Sequence, residues 1–298
     1  MATLFNDTLF GQTIFDQLTD ILLPLNVFST DISSEVVAPG SAVVVPLFGN
    51  VTSTSFVQGA SAYEGTGGTI SAITVTMDKR YITPVDLTPQ QIADSSNARR
   101  LEGFAQQLAN ATANKLLQDV FSVLTTTNFG NAILTTASAN YARAQLVTAR
   151  QKMLQAGVRG TKAMVINTDV EAALLGDDKI TLALNRGDAM AIKEGQLGHL
   201  LGFDIYASDV LPTNSISLIG FCAGKEGVAV AMRNLGNYLP AEEYASFEQF
   251  VDADSGISML YTRHWNRSAG KWFINTHVLF GYSAAVTGAV KLFTTPTT

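Results

Sequence analysis

Cysteine, histidine and charge are all scarce in this 298-residue chain, and each scarcity closes off a class of function. With Cys222 as the only thiol, no intrachain disulfide can form, and a reducing compartment suits the chain. The three histidines, His199, His264 and His277, stand at no metal-ligand spacing, so no metal centre is expected. Charged residues are 15% of the total, against roughly 25% in an ordinary soluble domain. Hydrophobic residues reach 47%, and so apolar a surface favours association with other chains.

Long apolar runs are missing too. The best, from Val278 to Val290, contains Ser283 and Thr287 and ends at Lys291, short of the roughly 20 residues that span a bilayer. Asp7 stands where a signal peptide would be positive, so neither secretion nor a membrane partner is expected. A net charge of −6, with Lys79-Arg80 and Arg99-Arg100 the only basic doublets, argues against tight or sequence-specific binding of nucleic acid.

Motifs that carry chemistry are absent as well. Gly220 to Glu226 holds a Gly-Lys pair, but the spacing is one residue short of a phosphate loop and no Ser or Thr follows Lys225. Gly195, Gly198 and Gly202 do not fit the dinucleotide fingerprint, and no Gly-x-Ser-x-Gly elbow exists. The neighbours Asp177-Asp178 and Glu242-Glu243 point apart in any regular element, as on a solvated face or loop. Trp265 and Trp272, beside Arg263, Arg267 and Lys271, could stack on nucleobases, yet a strand pair turning at Asn266–Gly270 accounts for them. No catalytic residue, cofactor or metal ligand is assigned, and the chain does not read as an enzyme.

What is present is an ordered series of elements. Phe5, Leu9, Phe10, Ile14, Phe15, Leu18, Ile21 and Leu22 recur at near-helical spacing in residues 1–35, an extended or partly helical arm of the kind that lies across a neighbour. The β-branched run Val36–Phe48, a Thr/Ser/Gly-rich stretch, and the alternation of Ile73, Val75 and Met77 with Thr74, Thr76 and Asp78 predict a long β-hairpin. Thr88-Pro89-Gln90-Gln91 has the form of a capping box with proline at the tolerated first position. Leu101, Phe104, Leu108, Ala111, Leu116, Val120, Val123 and Leu124 then form the stripe of a helix from about Asn97 to Leu124, roughly 40 Å long. Helices over 141–156 and 169–175 flank a strand over 162–167; strands follow at 216–222, 227–233, 257–262, 272–282 and 289–293.

The order of these parts resembles the major capsid proteins of tailed bacteriophages, with the HK97-type fold. GGTISAITVTMDKRYITPVDL is similar to the returning strand of that family's extended loop, and ARRLEGFAQQLANATANKLLQDVFSVL to its spine helix. GQLGHLLGFDIYASDVLP, with Gly195, Gly198 and Gly202, resembles its glycine-rich turn, strand and closing proline. IGFCAGKEGVAVAMR and WFINTHVLFGYSAAVTGAVKLF resemble the strands that follow.

The resemblance implies an α+β, HK97-like capsid fold with an N-terminal arm (1–45), an extended β-hairpin loop (46–87), a peripheral domain with the spine helix (88–135), an axial domain (136–235) and returning peripheral strands (236–298). It implies a self-assembling subunit of an icosahedral virion, built from hexamers and pentamers in the host cytoplasm around weakly contacted double-stranded DNA. Tyr63, Glu64 and Gly65 in the loop, with Gly195, Gly198 and Gly202, are the expected assembly contacts. The chain reaches its arm at once, so a separate scaffolding protein is expected, beside a portal and a decoration protein. Lys79 is the only lysine of the loop and lies at its base, so covalent cross-linking is not expected. An encapsulin-like cellular compartment shares the fold and stays open as an alternative; a soluble α/β enzyme would need a convergent polar site, and none is found.

Overall fold

The computed structural model describes residues 7–31, 39–48, 70–93, 98–158, 160–177, 198–235, 244–252 and 255–296. In chain order the helices are α1 (Asp7–Ile21), α2 (Pro89–Ala93), α3 (Ala98–Phe121), α4 (Thr126–Phe129), α5 (Arg143–Gln155) and α6 (Thr168–Leu175). The strands are β1 (Ser29–Asp31), β2 (Ala42–Phe48), β3 (Ile70–Thr76), β4 (Lys79–Leu87), β5 (Leu134–Thr135), β6 (Lys162–Ile166) and β7 (His199–Leu200). They continue with β8 (Phe203–Ala207), β9 (Leu218–Gly224), β10 (Val228–Arg233), β11 (Tyr244–Val251), β12 (Ser258–Asn266), β13 (Lys271–Ala284) and β14 (Val290–Thr294).

The first sheet is built on β13, which at 14 residues is far longer than the usual strand of about 5–6. One edge pairs antiparallel with β4, from Trp272↔Leu87 to Phe280↔Lys79. The other edge takes β12 along its first half and β10 along its second, so these two strands follow one another end to end. β11 extends the sheet beyond β12, and β1 runs parallel beside β10. Side chains on β10 alternate as the pleat requires: Val228, Val230 and Met232 face the helices, while Ala229 and Ala231 face the β2–β3 hairpin.

Helix α3 covers the helical face with Ala105, Leu108, Ala109, Leu116, Val120 and Phe121, an i/i+3/i+4 stripe. Thr112 interrupts this stripe, and its hydroxyl bonds to Thr83 at 2.8 Å and Thr276 at 3.3 Å, a cross-strand pair on β4 and β13. The buried polar group is thereby satisfied. The described part of the expected arm, residues 7–28, packs on its own chain. Phe10, Ile14, Leu18, Leu22, Leu25 and Phe28 are buried in the chain's own core, with α1 against α3. Full burial of each such side chain contributes about 1.5–3 kcal/mol, so residues 7–28 need no neighbour to cover them.

The second sheet has the order β5-β14-β9-β6-β8-β7. One face, through Met164, Ile166, Ile219, Cys222 and Phe293, packs on α5 and α6. The other, through Val165, Leu218, Phe221 and Leu292, joins the core of α1 and α3. Leu218 and Phe221 share that face despite their odd spacing because the β9–β14 register slips between Phe293 and Thr294, a bulge that shifts parity by one. Phe28, Phe121 and Phe221 meet where the layers join, with centroids 5.7, 6.3 and 5.4 Å apart pairwise.

The sheets cut across two of the expected segments. β10, expected in the 136–235 unit, pairs in the first sheet, and β14, expected among the returning strands of 236–298, pairs in the second. The chain crosses between sheets at 224–228 and again at 284–290. These connections bond to each other, Ala285 N–H to Gly227 O at 3.0 Å and Val286 N–H to Glu226 O at 3.1 Å. β4 likewise belongs to the first sheet and not to the hairpin, whose strands are 42–48 and 70–76.

Candidate assembly surfaces

The base of the hairpin has two unlike faces. Val45, Val75 and Met77 are buried on Ala229, Ala231, Leu260 and Leu279 of the first sheet. Small residues at 229 and 231 let the hairpin backbone come close. On the outer face Val44 is 58% exposed, an apolar side chain with nothing over it among the described residues. The expected contacts Tyr63, Glu64 and Gly65 lie outside the described residues, as does Gly195.

Gly198 and Gly202 bracket a small hairpin at the edge of the second sheet. His199 pairs with Asp204 and Leu200 with Phe203, leaving Leu201 and Gly202 as a two-residue turn. Their φ values, 52° and 82°, are both positive, as the tight hairpin turn that matches strand twist demands. Glycine meets that demand freely; Leu201 is held there by its carbonyl, which accepts a 2.9 Å bond from Arg150 Nη1. Gly198, at φ 50°, is exposed at the start of β7. His199 Nδ1 lies 2.7 Å from Asp204 Oδ1 across the strand pair.

Ile205 N–H continues the pairing to Gly198 O at 2.9 Å, and a cleft of about 660 Å³ lies along β8. Asp20, Leu23 and Pro24 from the end of α1, Glu171 from α6, and His199, Asp204 and Tyr206 line it. Burial holds the Glu171 carboxyl above the usual carboxylate range. A second exposed surface lies on α5. Arg143, Val147, Arg150 and Leu154 are spaced i, i+4, i+7, i+11 on its outer face, with Val147 48% and Leu154 47% exposed. Sequence reading passes over this stripe, although its helical spacing is the signal that marks it.

The remaining polar groups serve the fold. Asp177 accepts from the backbone N–H of Arg143 at 2.9 Å; Asp178, Glu242 and Glu243 lie outside the described residues. Trp265 and Trp272 pair across β12 and β13 at 5.2 Å, and Asn266 Oδ1 accepts from Ser268 and Ala269 in the turn beyond. Arg263 sits 4.8 Å over the Trp272 ring and 3.0 Å from Asp7. Cys222 is buried, and burial pushes its thiol pKa up, away from reactivity. Among the described residues no three His, Cys, Asp or Glu side chains are grouped to hold a metal ion, and no helix is long and apolar enough to cross a membrane.

Comparison with known proteins places this architecture. The family model described as phage capsid protein matches residues 85–264, more than half of the chain. The chain belongs to the phage capsid protein family. It is a major capsid subunit of a phage head and has its place in the capsid of the virion.

Solved capsids share its fold at low identity. The capsid structure of Cyanophage P-SCSP1u aligns with a TM-score of 0.55 at 16% identity, covering 91% of this chain and 87% of that one. The mature capsid of bacteriophage PhiM1 aligns at 0.53 with 12% identity, over 91% and 86% of the two chains. The capsid of Ralstonia phage GP4 aligns at 0.53 with 13% identity, over 90% and 86%. The α+β architecture is thus the HK97-like capsid fold. No curated protein matches the sequence.

Proposed function

We propose that the capsid subunit forms hexamers and pentamers that close an icosahedral head around double-stranded DNA, and that it catalyses no reaction. The match to the capsid family across residues 85–264 carries this reading. A subunit with 15% charged residues and exposed Leu9, Val44, Ile82, Val147 and Leu154 gains by placing those side chains against symmetric copies. A net charge of −6 suits a container that holds DNA through weak, sequence-independent contacts.

In this reading the first sheet with α3 forms the peripheral domain and the second sheet with α5 and α6 the axial domain. The hairpin tip at Tyr63, Glu64 and Gly65, with Gly195, Gly198 and Gly202 in the axial domain, meets neighbouring copies. A scaffolding protein, a portal and a decoration protein complete the particle, which is assembled in the host cytoplasm. Electron microscopy of the purified chain, with and without its scaffold, is expected to show closed shells with five- and six-fold clusters. Stable monomers under every assembly condition would sink the reading, and nuclease-protected DNA inside shells from cells separates a viral head from a compartment that carries protein cargo.

A further inference from the structure

Two charges stand at the wrong ends of their helices. Arg143 opens α5, where the helix dipole disfavours a cation, and no acidic residue occupies that first turn. Asp20 lies in the last turn of α1, where the dipole disfavours an anion, and no basic residue accompanies it. Neither side chain has an ion-pair partner among the described residues. A local conflict of this kind is retained where the charge is needed for something other than its own helix.

The surroundings of the two charges are complementary. Arg143 heads the exposed α5 stripe of Val147, Arg150 and Leu154, and α5 contains no acidic residue. Asp20 stands on the cleft beside β8 with Glu171 and Asp204; no Lys or Arg lines it among the described residues, and His199 is bonded to Asp204. Leu23, 46% exposed, gives that cleft an apolar rim against which Val147 and Leu154 can be buried.

We propose that the α5 stripe of one subunit docks in the β8 cleft of a second copy, with Arg143 facing Asp20 and Glu171 and with Val147 and Leu154 against Leu23. The contact rests on the assembly reading above and names the surfaces that join two copies. It uses a different patch on each partner, so repeating it builds a ring where the rotation closes.

The test is a charge exchange in the full chain. Asp20→Lys suits its own helix dipole, so that unassembled variant is expected to melt no lower than the wild type, whereas Arg143→Glu gains from its dipole and loses to the Asp177 carboxylate that accepts from its backbone N–H. Each alone is expected to raise the protein concentration needed for shells by about tenfold or more, through like-charge contacts at every joint. The chain carrying both is expected to assemble at a concentration at least about threefold lower than either single variant, because the 143–20 pair is restored with its sign reversed while Glu171 still opposes the carboxylate at 143. A single variant that assembles like the wild type, a double variant no better than the singles, or a lowered melting temperature for Asp20→Lys overturns the proposal. Silent α5 variants beside an impaired Asp20→Lys would give the cleft to a different partner and overturn it too. A wild-type control that forms no shells strikes instead at the assembly reading itself.

Discussion

A Cβ placed on Gly281 would lie 2.1 Å from the carbonyl oxygen of Thr76. The end of β3 therefore lies directly on β13, and the hairpin base is seated on the first sheet at a point that admits no side chain. Gly281 pairs with Ala231, so the small residues form one contact strip under Val75 and Met77. Gly281→Ala is expected to lift the hairpin base and loosen that packing, costing about 2–4 kcal/mol in urea denaturation. A variant as stable as the wild type would show that the hairpin is not seated there.

Phe28 joins three parts of the molecule: the segment after α1, the end of α3 at Phe121, and the second sheet at Phe221. It is 2% exposed and stacks on Phe221 with ring planes 5° apart. Phe28→Ala is expected to cost about 3–5 kcal/mol, and Phe28→Leu less than about 2 kcal/mol because most of the volume is kept. Equal small losses for both would mean that residues 23–28 are not part of the core.

Much of this fold was legible wherever one local pattern decided the outcome. The apolar stripe placed the spine helix at 97–124, and α3 spans Ala98–Phe121. The Thr88 capping box forms as read, with Thr88 N–H bonding Gln91 Oε1 at 2.8 Å and Gln91 N–H bonding Thr88 Oγ1 at 3.3 Å. The alternation of Ile73, Val75 and Met77 matches β3 and the residue after it, with Val75 and Met77 buried. What stayed hidden depends on partners far along the chain. β9 and β10 up to Met232 are both fully buried apolar runs, and such runs do not disclose which sheet they join. The α1 stripe announces a buried face without saying whether α3 or another chain covers it. The α5 stripe and Asp20 become a candidate surface only when their exposure is known.

Asn214 caps the spine helix from outside it. Its Nδ2 donates to the carbonyls of Phe121 and Leu124, both at 2.9 Å, a second bond for Phe121, which also accepts from Leu124 N–H at 3.1 Å. The residue holds φ 49° to do so. Asn214→Ala loses both bonds and keeps the backbone strain, for an expected cost of about 2 kcal/mol. Asn214→Gly loses the bonds but relieves the strain, and should be milder by about 0.5–1 kcal/mol. Thermal or chemical unfolding of the pair decides the matter, and an Asn214→Ala chain as stable as Asn214→Gly would remove the strain from the account.

His277 makes the stability of the first sheet depend on pH. It lies on β13, 9% exposed, with Nε2 3.0 Å from Thr262 Oγ1 and no partner for Nδ1 among the described residues. Burial, then the positive Arg80, then His264 lower its pKa from 6.5 to about 4. The folded chain thus prefers the neutral ring, while the unfolded chain takes up a proton at the ordinary value. Stability from this residue is whole above pH 6.5 and drains away as the pH falls toward 4, by up to roughly 3 kcal/mol. His277→Gln keeps a hydrogen-bonding side chain toward Thr262 and cannot titrate, so its unfolding free energy should be flatter than the wild type's between pH 6.5 and 4. Parallel profiles for the two chains over that interval would show that His277 is not the group that couples folding to acid.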